Sequence, residues 1–174
     1  MTSLWTPTTL GKLNLPHRLA LAPMTRSRAG ADGVPQDIVA THYAQRASLG
    51  LLITEGVFPS ADGQGYMNTP GIHTQPQIDA WRKVATAVHA EGGHIFMQLM
   101  HAGRMAHPEN TPHHRQPVAP SAIAAGQEMF TPLGPQQTPT PRALSTEEVR
   151  QTVDDFRKAA RNAIDAGMDG VEIH

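Results

Sequence analysis

The sequence predicts an α/β fold in which short buried strands alternate with amphipathic helices. Short apolar runs stand at residues 19–23, 51–55, 95–99 and 171–174. Each of the first three runs is followed by a stretch with helical periodicity. Apolar runs of this length between helices are typical of parallel strands that are buried on both faces.

The third helix has the most regular pattern. Ser145 and Glu148 have the spacing of a capping box, in which each side chain bonds the backbone of the other residue. Gly167 is expected to end the helix in the left-handed conformation. Apolar residues three or four positions apart predict one packed stripe, formed by Val149, Val153, Phe156, Ala160, Ala163 and Ile164.

The second helix follows the same rules, and the first is less regular. Thr74 and Gln77 predict another capping box, and Pro76 suits the first turn. The packed stripe is expected at Ile78, Trp81, Ala85 and Val88, with the helix ending at Gly92 and Gly93. The first helix is predicted over about 35–48, where Val39, Thr41 and Tyr43 are mediocre helix formers.

The connections between these elements differ in length. Links from helix to strand are short, at 49–50, 92–93 and 168–170, whereas links from strand to helix are long, at 56–73 and 100–144. In a (β/α)8 barrel the active site is built from the loops that follow the strands. The elaborated face is therefore the expected functional face, and 101–144 is expected to be a long loop over it.

The number of strands indicates half of a barrel. Four strands cannot close an eight-stranded barrel, whose usual length is roughly 250 residues. We therefore predict that residues 1–174 form the N-terminal half of a single TIM-barrel domain, with about the first four strands and three helices. Its two outer strands would leave open sheet edges.

Composition excludes several classes of function. With 14 Lys and Arg against 15 Asp and Glu, nothing favours a nucleic-acid partner. The absence of cysteine excludes disulfides, zinc–thiolate sites and a cysteine nucleophile within these residues. Residues 1–10 lack the pattern of a secretory signal, and no apolar stretch approaches the roughly 18 residues of a membrane span. We expect a cytoplasmic protein that does not bind membranes.

Several short motifs resemble the Old Yellow Enzyme family. They occur in order and with the spacing of that family, at 4–7 (LWTP) with 15–18 (LPHR), 22–26 (APMTR), 63–66 (GQGY) with 70–72 (PGI), 98–104 (QLMHAGR) and 171–174 (VEIH). The resemblance implies a TIM barrel that binds FMN at the carboxyl ends of its strands. It also implies an ene-reductase that uses NADPH or NADH to reduce activated alkenes such as α,β-unsaturated carbonyl compounds.

The resemblance implies a role for five residues around the flavin. Pro23, Met24 and Thr25 would line the ring, with the Thr25 hydroxyl near its C4 carbonyl. Gly56 would let the backbone approach the ring, and Gln98 would bond its pyrimidine edge. Hydroxyl and amide donors aimed at the carbonyls of a reduced flavin are suited to tuning its potential.

The resemblance also implies three residues on the substrate side. His174 would be catalytic, as the first of two side chains that bind the substrate carbonyl, where an imidazole N–H stabilises a developing enolate. Tyr66 would lie at the substrate mouth. Met100 stands where the family often has tryptophan, so the pocket above the flavin is expected to be wider or softer.

The resemblance further implies that residues 1–174 lack part of the active site. In the family, the second carbonyl-binding residue lies three positions after the one matching His174, and a proton-donating tyrosine lies five positions after it. The loops that hold the FMN phosphate also come later. The expected partner is thus the C-terminal half of the barrel, as a second chain or a missing segment. The alternative is an inactive folding or assembly fragment that self-associates or pairs with a second chain.

Several of these polar residues also have a structural explanation that requires no ligand. Outside its motif, Thr25 would be an ordinary hydroxyl at a strand end, and Gln98 a core amide bonded to backbone. Glu55 and Glu172 are expected to form structural salt bridges rather than a catalytic pair. The arginines at 26 and 104 are expected to contact either the flavin or its phosphate, or to form surface ion pairs.

The histidine-rich segment is not expected to bind a metal. His101, His107, His113 and His114 lack the spacing of a helical metal site, and no cysteine or clustered aspartate accompanies them. We expect solvated loop histidines, with His101 buried near the third strand.

Overall fold

The computed structural model describes residues 3–174, so Met1 and Thr2 of the predicted domain and N-terminal segment lie outside the described residues. The helices are α1 (Asp37–Ala44), α2 (Gln75–Ala90) and α3 (Thr146–Asp165). The strands are β1 (Thr8–Leu10), β2 (Leu13–Leu15), β3 (Ala20–Leu21), β4 (Leu51–Val57), β5 (Ile95–Leu99), β6 (Val118–Ala119), β7 (Glu128–Thr131), β8 (Gly134–Gln137), β9 (Arg142–Ala143) and β10 (Gly170–Ile173).

The four predicted apolar runs form one parallel sheet. Its strand order is β10-β5-β4-β3, and every neighbouring pair is parallel. The helices α1, α2 and α3 connect consecutive strands of this sheet. The prediction of a partial (β/α) barrel with four strands and three helices is confirmed, although β3 is shorter than the predicted run.

A β-bulge interrupts the pairing of β4 with β5. Ile53 is opposite Phe96 and Gly56 is opposite Gln98, so two residues of β4 span the space of one residue of β5. The hydroxyl of Thr54, within the bulge, accepts a hydrogen bond from the backbone N–H of Gln98 at 3.1 Å. The bulge therefore places Gly56 directly beside Gln98.

The core lies between the sheet and the helices. Apolar side chains of β4 and β5 pack against α2 and α3, with Leu52, Ile95, Met97 and Leu99 fully buried. Trp81 of α2 is also fully buried, and its indole N–H donates to the carbonyl of Gly71 at 3.0 Å. A buried tryptophan is stabilised when its polar atom has a partner.

The helix ends follow the predictions closely. The Ser145 hydroxyl accepts from the N–H of Glu148 at 3.2 Å, and the Glu148 carboxylate accepts from the N–H of Ser145 at 2.8 Å. Gln77 accepts from the N–H of Thr74 at 3.1 Å. Gly167 follows α3 at a φ of 94°, as a left-handed cap requires. The first helix is shorter than predicted, because residues 45–50 form turns.

The apolar stripe predicted on α3 packs only in part. Ala163 is fully buried and Phe156 and Ala160 pack against the core, whereas Val149, Val153 and Ile164 are 42%, 64% and 52% exposed. Ala159, which the predicted stripe did not include, is also fully buried. The small alanines are buried because they let the helix approach the core closely. The larger residues lie on faces that no described element covers.

Two hairpins and a strand pair were missed from the sequence. Strands β1 and β2 form an antiparallel hairpin, as do β7 and β8, and β6 pairs with β9 in parallel. Strands β6 to β9 lie within 101–144, for which the sequence predicts one long loop. Their shortness and the many Pro and Gln residues hide the alternating pattern. Within residues 3–174, no helix combines the length and apolar character that crossing a membrane demands.

Candidate active site

The carboxyl ends of the parallel strands bring together most of the predicted site residues. Because parallel strands end at the same edge of a sheet, the residues that follow them become neighbours. The backbone N–H of Met100 donates to the carbonyl of Val57 at 2.9 Å, and that of His174 donates to the carbonyl of Leu99 at 3.0 Å. The predicted residues at this edge are Pro23, Met24, Thr25, Gly56, Gln98, Met100 and His174.

Gln98 occupies the centre of this edge. It is 7% exposed and lies in register with Gly56 on one side and Glu172 on the other. Its Nε2 donates to the Glu172 carboxylate at 2.6 Å. No residue among 3–174 donates to its Oε1. The amide therefore keeps one N–H and its carbonyl oxygen for a ligand.

Met100 covers Gly56. A Cβ added at Gly56 would lie 2.6 Å from the Met100 Cε and 2.9 Å from its Sδ, so any side chain at this position would require the Met100 thioether to move. A flavin ring that packed on the face of Gly56 covered by Met100 would require this side chain to move. The thioether is unbranched and flexible, which makes such a movement inexpensive. The role of Gly56 toward a flavin stays a prediction.

The segment after β3 is held by a buried carboxylate. Met24 is 47% exposed, Thr25 is exposed, and no residue among 3–174 bonds the Thr25 hydroxyl. Just behind them, the backbone N–H of Arg26 donates to Glu55 at 3.0 Å. Glu55 is only 2% exposed, and burial raises the pKa of its carboxyl above the ordinary value. This bond fixes the end of the segment that carries Thr25.

The carboxyl-terminal part of β4 is also hydrogen-bonded to α1. The hydroxyl of Tyr43 accepts from the backbone N–H of Glu55 at 2.8 Å. Tyr43 is almost fully buried, and burial raises the pKa of its phenol. The expectation that Glu55 and Glu172 form salt bridges is wrong: within the described chain, neither has a cationic partner. Their partners are a backbone N–H and an amide, which sequence patterns do not reveal.

Tyr66 lies on a neighbouring loop. It follows the short 3-10 turn Ala61–Gly63, and its carbonyl accepts from the Thr69 hydroxyl at 3.0 Å. This loop contacts the segment after β5, since the N–H of Ala102 donates to the carbonyl of Gly63 at 2.9 Å. Tyr66 is half-buried beside that segment. Its position at a substrate mouth stays a prediction.

The loop histidines have mainly structural partners. His101 is half-buried, its Nδ1 accepts from the N–H of Gly103 at 3.0 Å, and burial lowers its pKa. His107 is 8% exposed and bonds the N–H of Glu109, so the expectation of a solvated side chain is wrong there. His113 bonds the carbonyl of Ala61 at 3.1 Å. Within residues 3–174, no three His, Asp or Glu side chains cluster so as to hold a metal.

The two arginines have different surroundings. Arg104 donates to the carbonyl of Ile123 at 2.7 Å and to the hydroxyl of Ser121 at 3.0 Å, so it cross-links the long connection. No carboxylate of residues 3–174 forms an ion pair with it. Arg26 lines a cavity of about 100 Å³ together with Glu55. Its side chain is thus near the candidate site.

An apolar groove lies beside the edge strand β10. Its volume is about 610 Å³, and its walls come from α3, from the region of β6 and from Ile173. The exposed α3 residues Val149 and Val153 line it, together with the half-buried Phe156. His101 and Gly103 of the segment after β5 also line this groove, so it borders the strand-end site.

Comparisons with known proteins point to one family. Residues 3–174 match the family described as NADH:flavin oxidoreductase / NADH oxidase. The chain is 46% identical to 12-oxophytodienoate reductase 1 of Oryza sativa subsp. japonica, over 98% of this chain and 44% of that protein. It is also 46% identical to chanoclavine-I aldehyde reductase of Penicillium roqueforti, over 100% of this chain and 46% of that protein.

Solved structures show the same similarity in three dimensions. An old yellow enzyme homologue from Zymomonas mobilis superimposes with a TM-score of 0.95 at 44% identity, over 99% of this chain and 48% of that one. Morphinone reductase in complex with tetrahydroNAD superimposes with a TM-score of 0.92 at 46% identity, over 100% and 49% of the two chains. The chain thus spans about half the length of the proteins it matches.

Proposed function

The chain belongs to the NADH:flavin oxidoreductase / NADH oxidase family, and from this we propose that it forms the N-terminal half of an FMN-dependent ene-reductase in the cytoplasm. Its substrate would be a small activated alkene, such as an α,β-unsaturated carbonyl compound. The reductant would be NADPH or NADH, in line with the tetrahydroNAD bound to morphinone reductase.

The observation that carries the proposal is the polar row at the strand ends. The Gln98 amide keeps a donor and an acceptor without partners, and the exposed Thr25 hydroxyl stands on the adjacent segment. This donor set fits the carbonyl and imide groups of an isoalloxazine ring, which alternate acceptor and donor. Pro23, Met24 and Gly56 would complete the ring site.

A bound FMN would supply the hydride that reduces the alkene. Toward the substrate, His174 would donate an imidazole N–H to the carbonyl oxygen, where negative charge develops. Met100 and Tyr66 would border the alkene. Since the Met100 side chain covers Gly56, it would set how closely a ring packs against the strand ends.

The proposed partner is the C-terminal half of the barrel, on a second chain or on a further segment. Strands β3 and β10 are the outer strands of the parallel sheet, and the apolar groove beside β10 is exposed. Both features suit the packing of further βα units. In barrels of this type, loops after strands seven and eight frequently hold the phosphate, so the partner would supply most of the FMN affinity.

The alternative is an inactive half-barrel that self-associates, and the exposed groove favours it too. Colour and mass separate the two proposals. An assembly with the C-terminal half that stays yellow after desalting supports the flavoenzyme. A colourless protein whose mass exceeds that of one chain supports the assembly fragment.

The activity test is NADPH-driven reduction of a simple cyclic enone. The chain alone is expected to turn over below detection, because loss of one oxyanion donor costs about 10²–10³ and loss of general acid help about 10²–10⁴ in rate. Adding the C-terminal half as a second polypeptide is expected to restore turnover and FMN binding. Robust turnover by the chain alone, verified by mass, would contradict the placement of the catalytic groups.

A further inference from the structure

Glu172 has no function in the site described so far, yet it contacts the central residue of that site. It is the register partner of Gln98 across the β10–β5 pair, and its carboxylate accepts from Gln98 Nε2 at 2.6 Å. It is half-buried. A hydrogen bond to a carboxylate is roughly twice as strong as one between neutral groups.

We propose that Glu172 is a positioning residue that holds the Gln98 amide in one of its two orientations. The inference rests on the proposed function, because the orientation matters only toward a ligand with a fixed order of donors and acceptors. A carboxylate accepts hydrogen bonds and donates none. It therefore attracts the amide nitrogen of Gln98 and repels its oxygen, which removes the flipped orientation.

The pyrimidine edge of a flavin makes this orientation decisive. That edge presents a carbonyl acceptor, then the N3–H donor, then a second carbonyl acceptor. When the strand holds the amide opposite N3–H and one particular carbonyl, its free N–H and its oxygen match these two groups in one order only. In the flipped order, N–H would face N3–H and oxygen would face a carbonyl, and both bonds would be lost.

The strand geometry leaves the Glu172 contact as the one that decides the orientation. The Gln98 backbone is fixed on the β4 side by the Thr54 hydroxyl at 3.1 Å. The β4 residue in register with it is Gly56, which has no side chain to bond the amide. Within residues 3–174, the amide thus has one side-chain partner, and that partner is a carboxylate.

The first experiment needs no flavin. In the unaltered chain, the ¹⁵N-labelled side-chain amide of Gln98 should give two separated proton resonances, one shifted by the bond to Glu172. In Glu172→Leu the shift should disappear. Glu172→Gln keeps the side-chain shape at position 172, but the new amide can both accept and donate a hydrogen bond. Both orientations of the Gln98 amide are then expected to be populated. This milder variant provides the test if Glu172→Leu does not fold. Glu91→Gln, at an exposed carboxylate directly after α2, is the control without effect.

The second experiment measures FMN affinity in the assembly of this chain with the C-terminal half. Glu172→Leu is expected to weaken FMN binding about tenfold, as loss of oriented hydrogen bonds does. In a Gln98→Leu background, the same change should cost nothing further, because Glu172 acts through the amide. Binding of FMN methylated at N3, which lacks the donor, should change far less in Glu172→Leu.

The outcomes distinguish a failure of the positioning role of Glu172 from a failure of the proposed function. Equal FMN affinity in Glu172→Leu and the unaltered protein would overturn the positioning role alone, as would additive losses in the double variant. An unaltered assembly that binds no FMN would overturn the proposed function and this inference with it. Unchanged Gln98 amide resonances in both Glu172 variants would show that the contact does not orient the amide.

Discussion

Glu55 is a carboxyl group that the fold removes from water. It is 2% exposed, and its bond from the Arg26 N–H does not offset the cost of burial, so the pKa of the carboxyl stays raised. The pKa rises because burial disfavours the charged form. The protonated state therefore contributes stability that is fully present below the ordinary pKa of 4.5 and is lost as pH rises through the folded-state pKa.

We expect Glu55→Gln to flatten this pH dependence. The amide oxygen can still accept from Arg26, but the side chain cannot ionise. Urea unfolding should show similar stabilities of variant and unaltered chain at pH 4, and a growing advantage of the variant as pH rises past that range. Glu91→Gln, on an exposed carboxylate, should follow the unaltered chain. Parallel curves for Glu55→Gln and the unaltered chain would show that Glu55 does not carry the effect.

At the scale of the elements, the fold was more accessible from the sequence than the contacts within the site. Strands and helix caps follow from local patterns, such as the pair Ser145 and Glu148. Of the residues that the resemblance singled out, Gln98 lies within β5, whereas Thr25 lies four residues after the end of β3. The bonds of Glu55 and Glu172 depend on neighbours 29 and 74 positions away, which no local pattern encodes.

The start of α3 allows a test of whether a local sequence pattern, the capping box, stabilises the helix. The Ser145 hydroxyl accepts from the N–H of Glu148, so Ser145→Ala leaves an unbonded donor in the first turn. We expect a loss of about 0.5–2 kcal/mol in the free energy of unfolding, measured by urea titration. Thr146→Ala, one position into the helix, removes a similar hydroxyl that does not cap and should cost far less. Equal losses in the two variants would argue against the cap.

At the scale of the whole molecule, the exposed apolar groove is the surface at which we expect association. Exposed apolar surface of this kind marks sites of association. Val153 lines the groove and is 64% exposed, whereas Ile164 is 52% exposed on the same helix and lies outside it. Their similar exposure makes them a matched pair.

We expect Val153→Lys to weaken association of the chain, with itself or with the C-terminal half, by about tenfold or more, because a buried unpaired charge is costly. Sedimentation velocity over a range of concentrations measures this directly. Ile164→Lys should leave association nearly unchanged. If both lysine variants associate like the unaltered chain, the groove is not the contact surface.

The bulge in β4 also decides which side chain flanks the central amide. Continued without the extra residue, the pairing of Ile53 with Phe96 would bring Glu55, not Gly56, opposite Gln98. The amide would then stand between two carboxylates, on β4 and on β10, and neither orientation would be preferred. The asymmetry on which ligand discrimination would depend thus comes from the register shift at the bulge, which places a glycine rather than a glutamate opposite Gln98.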